Sequence, residues 1–317
     1  MLRSIVVGVA MLLLMACVKR DSMELTILNR RVLEGIPSAS GIEMLKGTIC
    51  VIGDNSPWIF ELNSNHEIVD KLQIISGHES VDGLIPKKNK PDFEAIARGT
   101  RESGEILFVF GSGSKSPERD LMVRVDCADT TRIRSYSLEE FYKKMKRVAK
   151  LSNDDLNIEG AVVEAGELYL FNRGINMVLN YKMKDFMEHI EGKRTSPEPA
   201  IYQFNLPRID GIEAGFSGAG IIPGKDKIVF TASVENTSNW IDDGPVLGSF
   251  VGVIDLKELG KSLKPECVRV VNEGKSLNIK IESVTTLSSS GEGEIHLLLV
   301  TDSDGGDSEM IEAVLRL

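Results

Sequence analysis

The apolar residues of this chain arrive in short runs, each bounded by turn-forming residues. The clearest are TICVIG at 48–53, ILFVFG at 106–111, LYLFN at 168–172, KIVFTASV at 227–234 and IHLLLV at 295–300. Glycine, aspartate, asparagine and serine punctuate them. Runs of this length and composition, bounded by turn residues, read as β-strands. A shorter apolar segment precedes each run, and it opens on a related phrase. Four of these phrases are Gly41-Ile42-Glu43, Asp92-Phe93-Glu94, Asn157-Ile158-Glu159 and Lys280-Ile281-Glu282, and a fifth segment has Phe216-Ser217-Gly218 in their place. Taking Glu43, Glu94, Glu159, Ser217 and Glu282 as equivalent gives spacings of 51, 65, 58 and 65 residues. Such a spacing suits one propeller blade of about four strands plus loops.

The expected fold is therefore all-β, a five-bladed β-propeller. The fifth repeat runs out after three strands, and ELTILNRRVL from Glu24 is a strand without a blade. The N-terminal strand is expected to close the last blade, which removes an exposed sheet edge. One or two short peripheral helices interrupt the pattern. Leu138, Phe141, Tyr142, Met145 and Val148 recur at helical steps behind Ser137-Leu138-Glu139-Glu140, which has the form of a capping box. MKDFMEHIEG from Met183 predicts the second helix.

The amino terminus follows a different pattern. Arg3 precedes an apolar run that ends at Leu14-Met15-Ala16-Cys17. That run is too short for an ordinary spanning helix and reads as a secretory signal. The LMAC ending resembles a bacterial lipobox, which implies cleavage and lipidation at Cys17. The domain reading is then a lipoprotein signal peptide at 1–17, a short tether at 18–24 and a single propeller at 25–317. Cys50, Cys127 and Cys267 remain, and their pairing is left open by the sequence. The formal net charge of −10 and the lack of a basic stripe argue against a nucleic-acid partner.

Candidate chemistry follows from the ring. The first strand of a propeller blade lines the channel, so Glu43, Glu94, Glu159 and Glu282 are expected to converge at the axis. Like charges brought together raise one another's pKa unless something offsets them. A cation, protonation, or basic partners such as Arg98, Arg173 and Lys280 are the candidates. Oxygen-only ligands favour calcium over zinc. A second set of polar clusters follows the second strands and supplies Asp54, Asn172, Arg173, Glu235 and Asp302. Together with Ser217 these are the expected ligand-binding residues of one channel face. No histidine lies in a channel phrase, and GFSGAG from Gly215 lacks the strand-turn-helix context of a nucleophile elbow.

The phrases DFEAIA, NIEGAVV and KIESVT resemble the blade starts of phytase-like β-propellers, the group called esterase-like activity of phytase. The order of LNIEGA, NRG, GFSGA, FTASVE and KIES over residues 25–317 is similar to that of exported bacterial propellers near this group. The resemblance implies calcium held by channel acids, carried here by Glu43, Glu94, Glu159 and Glu282. The expected protein is a monomeric, membrane-anchored lipoprotein of the Gram-negative outer membrane. Its channel face is expected to bind a small ligand, a cation, an envelope protein or a glycan. A calcium-dependent phosphoester or lactone hydrolase is the alternative.

Overall fold

The computed structural model describes residues 23–77, 83–102, 104–128, 130–237, 244–289, 293–302 and 307–317. The signal segment, Cys17 and residues 18–22 of the tether lie outside the described residues. Among the described residues, no helix is long and apolar enough to cross a membrane.

Five four-stranded antiparallel sheets form the blades. Blade 1 contains Ala39–Leu45, Thr48–Gly53, Trp58–Leu62 and Ile68–Gln73. Blade 2 contains Phe93–Arg101, Gly104–Gly111, Leu121–Cys127 and Thr131–Ser137. Blade 3 contains Ile158–Glu164, Glu167–Asn172, Met177–Lys182 and Ala200–Gln203. Blade 4 contains Gly215–Ile222, Lys227–Glu235, Val246–Asp255 and Glu266–Arg269. Blade 5 contains Lys280–Ser289, Glu294–Asp302 and Asp307–Arg316, and Glu24–Pro37 supplies its outer strand. That strand runs antiparallel to the last one, with Leu25 opposite Leu315 and Ile27 opposite Ala313. The chain ends thus close the ring, as the strand count in the sequence requires. The first strand of each blade packs on the first strand of the next, from blade 1 round to blade 5 and back.

The core is divided into five parts, one between each pair of neighbouring blades. Successive side chains on a strand point to opposite faces of the sheet. Leu168 and Leu170 accordingly enter the core shared with blade 2, whereas Tyr169 and Phe171 enter the core shared with blade 4. A strand that serves two cores must be apolar at every position, which is why the second strands read as unbroken hydrophobic runs. Each such buried side chain contributes about 1.5–3 kcal/mol relative to exposure.

Two helices sit at the junction of blades 2 and 3. Helix α1 spans Glu139–Ala149 and helix α2 spans Met183–Ile190. Phe141, Tyr142 and Met145 of α1 enter the same core as Phe186 and Met187 of α2. The Tyr142 hydroxyl donates to the Gly111 carbonyl at 2.7 Å, which satisfies its buried polar end. The capping box does not form. Leu138 occupies the cap position without a side-chain bond, and the Glu139 and Glu140 carboxylates accept from Lys143 at 2.7 and 2.9 Å. Ser137 is still the last residue of a strand, so only its hydroxyl reaches the helix, accepting from the Glu139 amide at 3.3 Å.

Candidate functional site: a ring of bulges at one channel mouth

Every first strand contains a β-bulge near its start. Pairing with the second strand skips one residue between Ala39 and Gly41, Phe93 and Ala95, Ile158 and Gly160, Phe216 and Gly218, and Ile281 and Ser283. The skipped residues are Ser40, Glu94, Glu159, Ser217 and Glu282. A bulge re-aims its extra side chain away from the regular ladder. These five positions are the true equivalents around the ring. The sequence-based equivalence of Glu43 is therefore corrected: its place belongs to Ser40, three residues earlier. The error arose because a bulge cannot be seen in an apolar pattern, and GIE resembles NIE more closely than ASG does.

The two serines and three glutamates use the same position differently. Ser40 donates to the Phe93 carbonyl at 2.5 Å, and Ser217 donates to the Ile281 carbonyl at 2.6 Å. Each acceptor lies just before the bulge of the following blade, so these hydroxyls stitch blade 1 to blade 2 and blade 4 to blade 5. Close approach is needed for this. A Cβ on Gly218 would lie 2.5 Å from the Ser283 Cα. The glutamates instead bring carboxylates to the axis. Glu159 and Glu282 are only 8% and 4% exposed.

The residue two positions before each glutamate decides how its charge is met. In blade 3 the Asn157 side chain donates to Glu159 Oε1 at 2.7 Å. In blade 5 the Lys280 ammonium lies 2.8 Å from Glu282 Oε1. In blade 2 the corresponding residue is Asp92, an acid. Asp54, Asp92 and Glu94 bring carboxylate oxygens within 4.8 Å of one another. Two loop cations answer them: Lys90 contacts Asp54 and lies 2.6 Å from Asp92, and Arg119 lies 2.6 Å from Asp92. Ser112 also donates to Asp92, at 2.5 Å.

Arg173, which follows the second strand of blade 3, is a buried cation of the same neighbourhood. It donates to Glu235 Oε1 at 2.9 Å and to Ser233 Oγ at 3.0 Å. Glu235 is also 3.3 Å from the Lys280 ammonium. Burial acts to discharge both cations, but the surrounding glutamates overcome it and hold both pKa values up, Lys280 most strongly. The acids move the other way. Burial first, then Asp92 and Glu159, push the Glu94 carboxyl well above the usual carboxylate range. Burial raises Glu159, opposed by Arg173 and Lys280. Glu282 is pushed up to about 8, chiefly by burial, with Lys280 opposing and Glu159 and Asp302 adding to the rise. Three buried oxygens here lack a hydrogen-bond partner among the described residues: Glu282 Oε2, Asp54 Oδ1 and Asn55 Oδ1.

The expected site residues thus divide. Glu94, Glu159, Glu282, Asp54, Arg173, Glu235 and Asp302 share one electrostatic neighbourhood at this mouth. Glu43 stands apart, further along the channel. Its Oε1 accepts from the Met44 amide at 2.8 Å and from Thr285 at 3.1 Å, and burial raises its pKa against the pull of Arg98. Asn172 is fully buried and committed to the backbone, accepting from the Asn157 amide and donating to the Asp155 and Gly174 carbonyls. Ser217 is likewise committed to inter-blade contacts. Asp92, Lys90, Arg119 and Asn157 were missed as site residues. The signal for Asp92 and Asn157 was present, since each stands two residues before a repeated glutamate. Lys90 and Arg119 come from loops without any repeat.

Comparison with family models places residues 35–315 in a family of unknown function, DUF6929. The chain belongs to that family. Comparison with curated proteins finds no match. Among solved structures, glutaminyl cyclase from Myxococcus xanthus is similar at a TM-score of 0.50 and 11% identity, over 92% of this chain and 96% of that one. The α-L-arabinanase of Cellvibrio cellulosa is similar at a TM-score of 0.43 and 11% identity, over 85% and 89% of the two chains. At 11% identity the likeness to the glutaminyl cyclase speaks for the fold alone.

Proposed function

We propose that this protein is a cation-binding propeller module, with Asp54, Asp92 and Glu94 as the ligands of a calcium ion. The observation that carries this reading is the acidic substitution in blade 2. Asp92 stands where blades 3 and 5 place a donor, and it leaves three carboxylates within 4.8 Å of one another. The donor set is all oxygen, as calcium prefers. Among the described residues no donor reaches Asp54 Oδ1 or Asn55 Oδ1, which leaves both suited to a cation. Lys90 competes for the same acids, so the site belongs at the weak end of calcium affinities, about 10⁻⁴–10⁻³ M. Calcium there neutralises the acids and displaces a proton from Glu94.

Calorimetric calcium titration of residues 18–317 tests the reading. Saturable binding with proton release is expected, lost in Glu94→Gln and tightened in Lys90→Gln. A folded wild type that shows no saturable heat up to about 10 mM calcium, beyond the weakest class of sites, overturns it. The phytase-like resemblance of the blade starts makes phosphoesters and lactones the substrates to screen. Turnover that requires calcium would convert the binding reading into the hydrolase one.

Export, lipidation at Cys17 and anchoring in a Gram-negative outer membrane complete the proposal, supported by the Arg3 to Cys17 pattern. Envelope proteins and glycans are then the partners within reach of a monomer held there. Fatty-acid labelling that disappears in Cys17→Ser is the expected result, and labelling that persists refutes the anchor.

A further inference from the structure

The opposite channel mouth carries a second, unrelated cavity. It has a volume of about 620 Å³ and lies between the ends of the first strands of blades 2 and 3, against helix α2. Ligand pockets fall in the range of about 300–1,000 Å³, and the larger part of that range exceeds a single amino acid. Its floor is apolar: Ile106, Phe108, Val163 and Met187 line it. Its rim is charged, and most of that charge is already matched. Arg98 pairs with Glu105 at 3.1 Å. Glu191 pairs with Lys193 at 2.5 Å and lies 3.7 Å from Arg124. Glu188 lies 3.7 Å from Arg194 and 3.8 Å from Lys184.

Two lining charges of opposite sign have no direct partner, although the field of Arg101 helps to hold the Glu191 carboxyl down. The side chains of Arg101, at the end of the blade 2 strand, and Glu164, at the end of the blade 3 strand, make no hydrogen bond or ion pair with any of the described residues. A guanidinium whose N–H groups have no direct acceptor suits a carboxylate, which it can hold with two parallel hydrogen bonds. An unmatched carboxylate suits an ammonium group. Ile106, Phe108, Val163 and Met187 of the same lining are apolar.

We propose that this cavity binds a short apolar peptide in its zwitterionic form. Its free carboxylate goes to Arg101, its free amino group to Glu164, and its apolar side chains go onto Phe108 and Met187. This site is independent of the calcium reading, because it uses none of the same residues.

Calorimetry with the dipeptide Leu-Phe, its N-acetyl form and its C-terminal amide tests the assignment. The unmodified dipeptide is expected to bind with one-to-one stoichiometry and the two blocked forms about tenfold or more weakly, the loss typical of one charge-assisted contact. Arg101→Gln should weaken the free dipeptide and the N-acetyl form but leave the amide unchanged. Glu164→Gln should weaken the free dipeptide and the amide but leave the N-acetyl form unchanged. Val163→Phe, which fills the floor, should abolish binding of all three, with folding checked by circular dichroism. Absence of saturable dipeptide binding by the wild type overturns the proposal. So does binding in which the two charge variants fail to separate the blocked forms.

Discussion

Blade 2 and blade 5 carry the same backbone device with opposite electrostatics. Each first strand bulges at a glutamate, Glu94 or Glu282. Blade 5 places Lys280 two residues earlier, so cation and anion lie on one strand and 2.8 Å apart. Blade 2 places Asp92 there, and its compensation must be imported from the loops that hold Lys90 and Arg119. The lesson is that one conserved-looking backbone position in a repeat fold specifies where a carboxylate points, not what it is for. A single neighbour decides whether the acid meets a cation on its own strand, as in blade 5, or depends on cations supplied by loops, as in blade 2. The serine bulges of blades 1 and 4 extend the point, since there the same position holds no charge at all.

The comparison is broken most severely by removing the blade 5 cation. Lys280→Met leaves Glu282 and Glu235 without their ammonium, and a loss of about 3–5 kcal/mol is expected in urea unfolding at about pH 9, above the folded pKa of Glu282. A loss below about 1 kcal/mol, the scale of exposed pairs, would show that blade 5 is not internally compensated. The pH profile comes next. A carboxylate whose folded pKa is raised contributes stability in acid that is lost as pH rises through that pKa. Stability is therefore expected to fall between about pH 5 and pH 8, by a few kcal/mol on the scale of 1.36 kcal/mol for each pKa unit. Glu282, pushed up to about 8, accounts for much of the fall. Urea midpoints of Glu282→Gln across that window should be visibly flatter, and an unchanged slope would remove Glu282 from the explanation.

The serine stitches rank third. Ser217→Ala and Ser40→Ala each leave a buried carbonyl without its donor, and about 1–3 kcal/mol is expected from each by the same measurement. Equal losses would establish the stitch as one device used twice. The smallest effect belongs to Glu94→Gln without calcium. It fixes the neutral form that burial and Asp92 already favour, so stability at pH 7 should stay within about 1 kcal/mol of wild type or rise. A loss as large as that of Lys280→Met would place Glu94 in the same structural role as Glu282.

Much of the fold was legible in the sequence. Strands that face a core on both sides must be apolar throughout, and five such runs at blade-like spacing imposed five blades. The orphan strand at Glu24 and the incomplete fifth repeat imposed ring closure. Glu94, Glu159 and Glu282 were legible as a convergent set because they recur in phase with those strands. Glu43 was misplaced because its Gly-Ile-Glu phrase mimics Asn157-Ile158-Glu159, whereas the bulged residue of blade 1 is Ser40, whose position no hydrophobic pattern marks. Lys90 and Arg119 were invisible for another reason: they lie on loops, where neither period nor repeat constrains position.

The sequence by itself determined the blade count, the closure and the approach of acids to an axis, since these follow from local patterning and chain continuity. The tertiary structure alone decided which charges meet. Register at the bulges set Ser40 rather than Glu43 at the mouth, and loop packing delivered Lys90 and Arg119 to Asp92. Electrostatic partnership depends on distances of a few ångströms between residues far apart in the chain, and only folding fixes those distances.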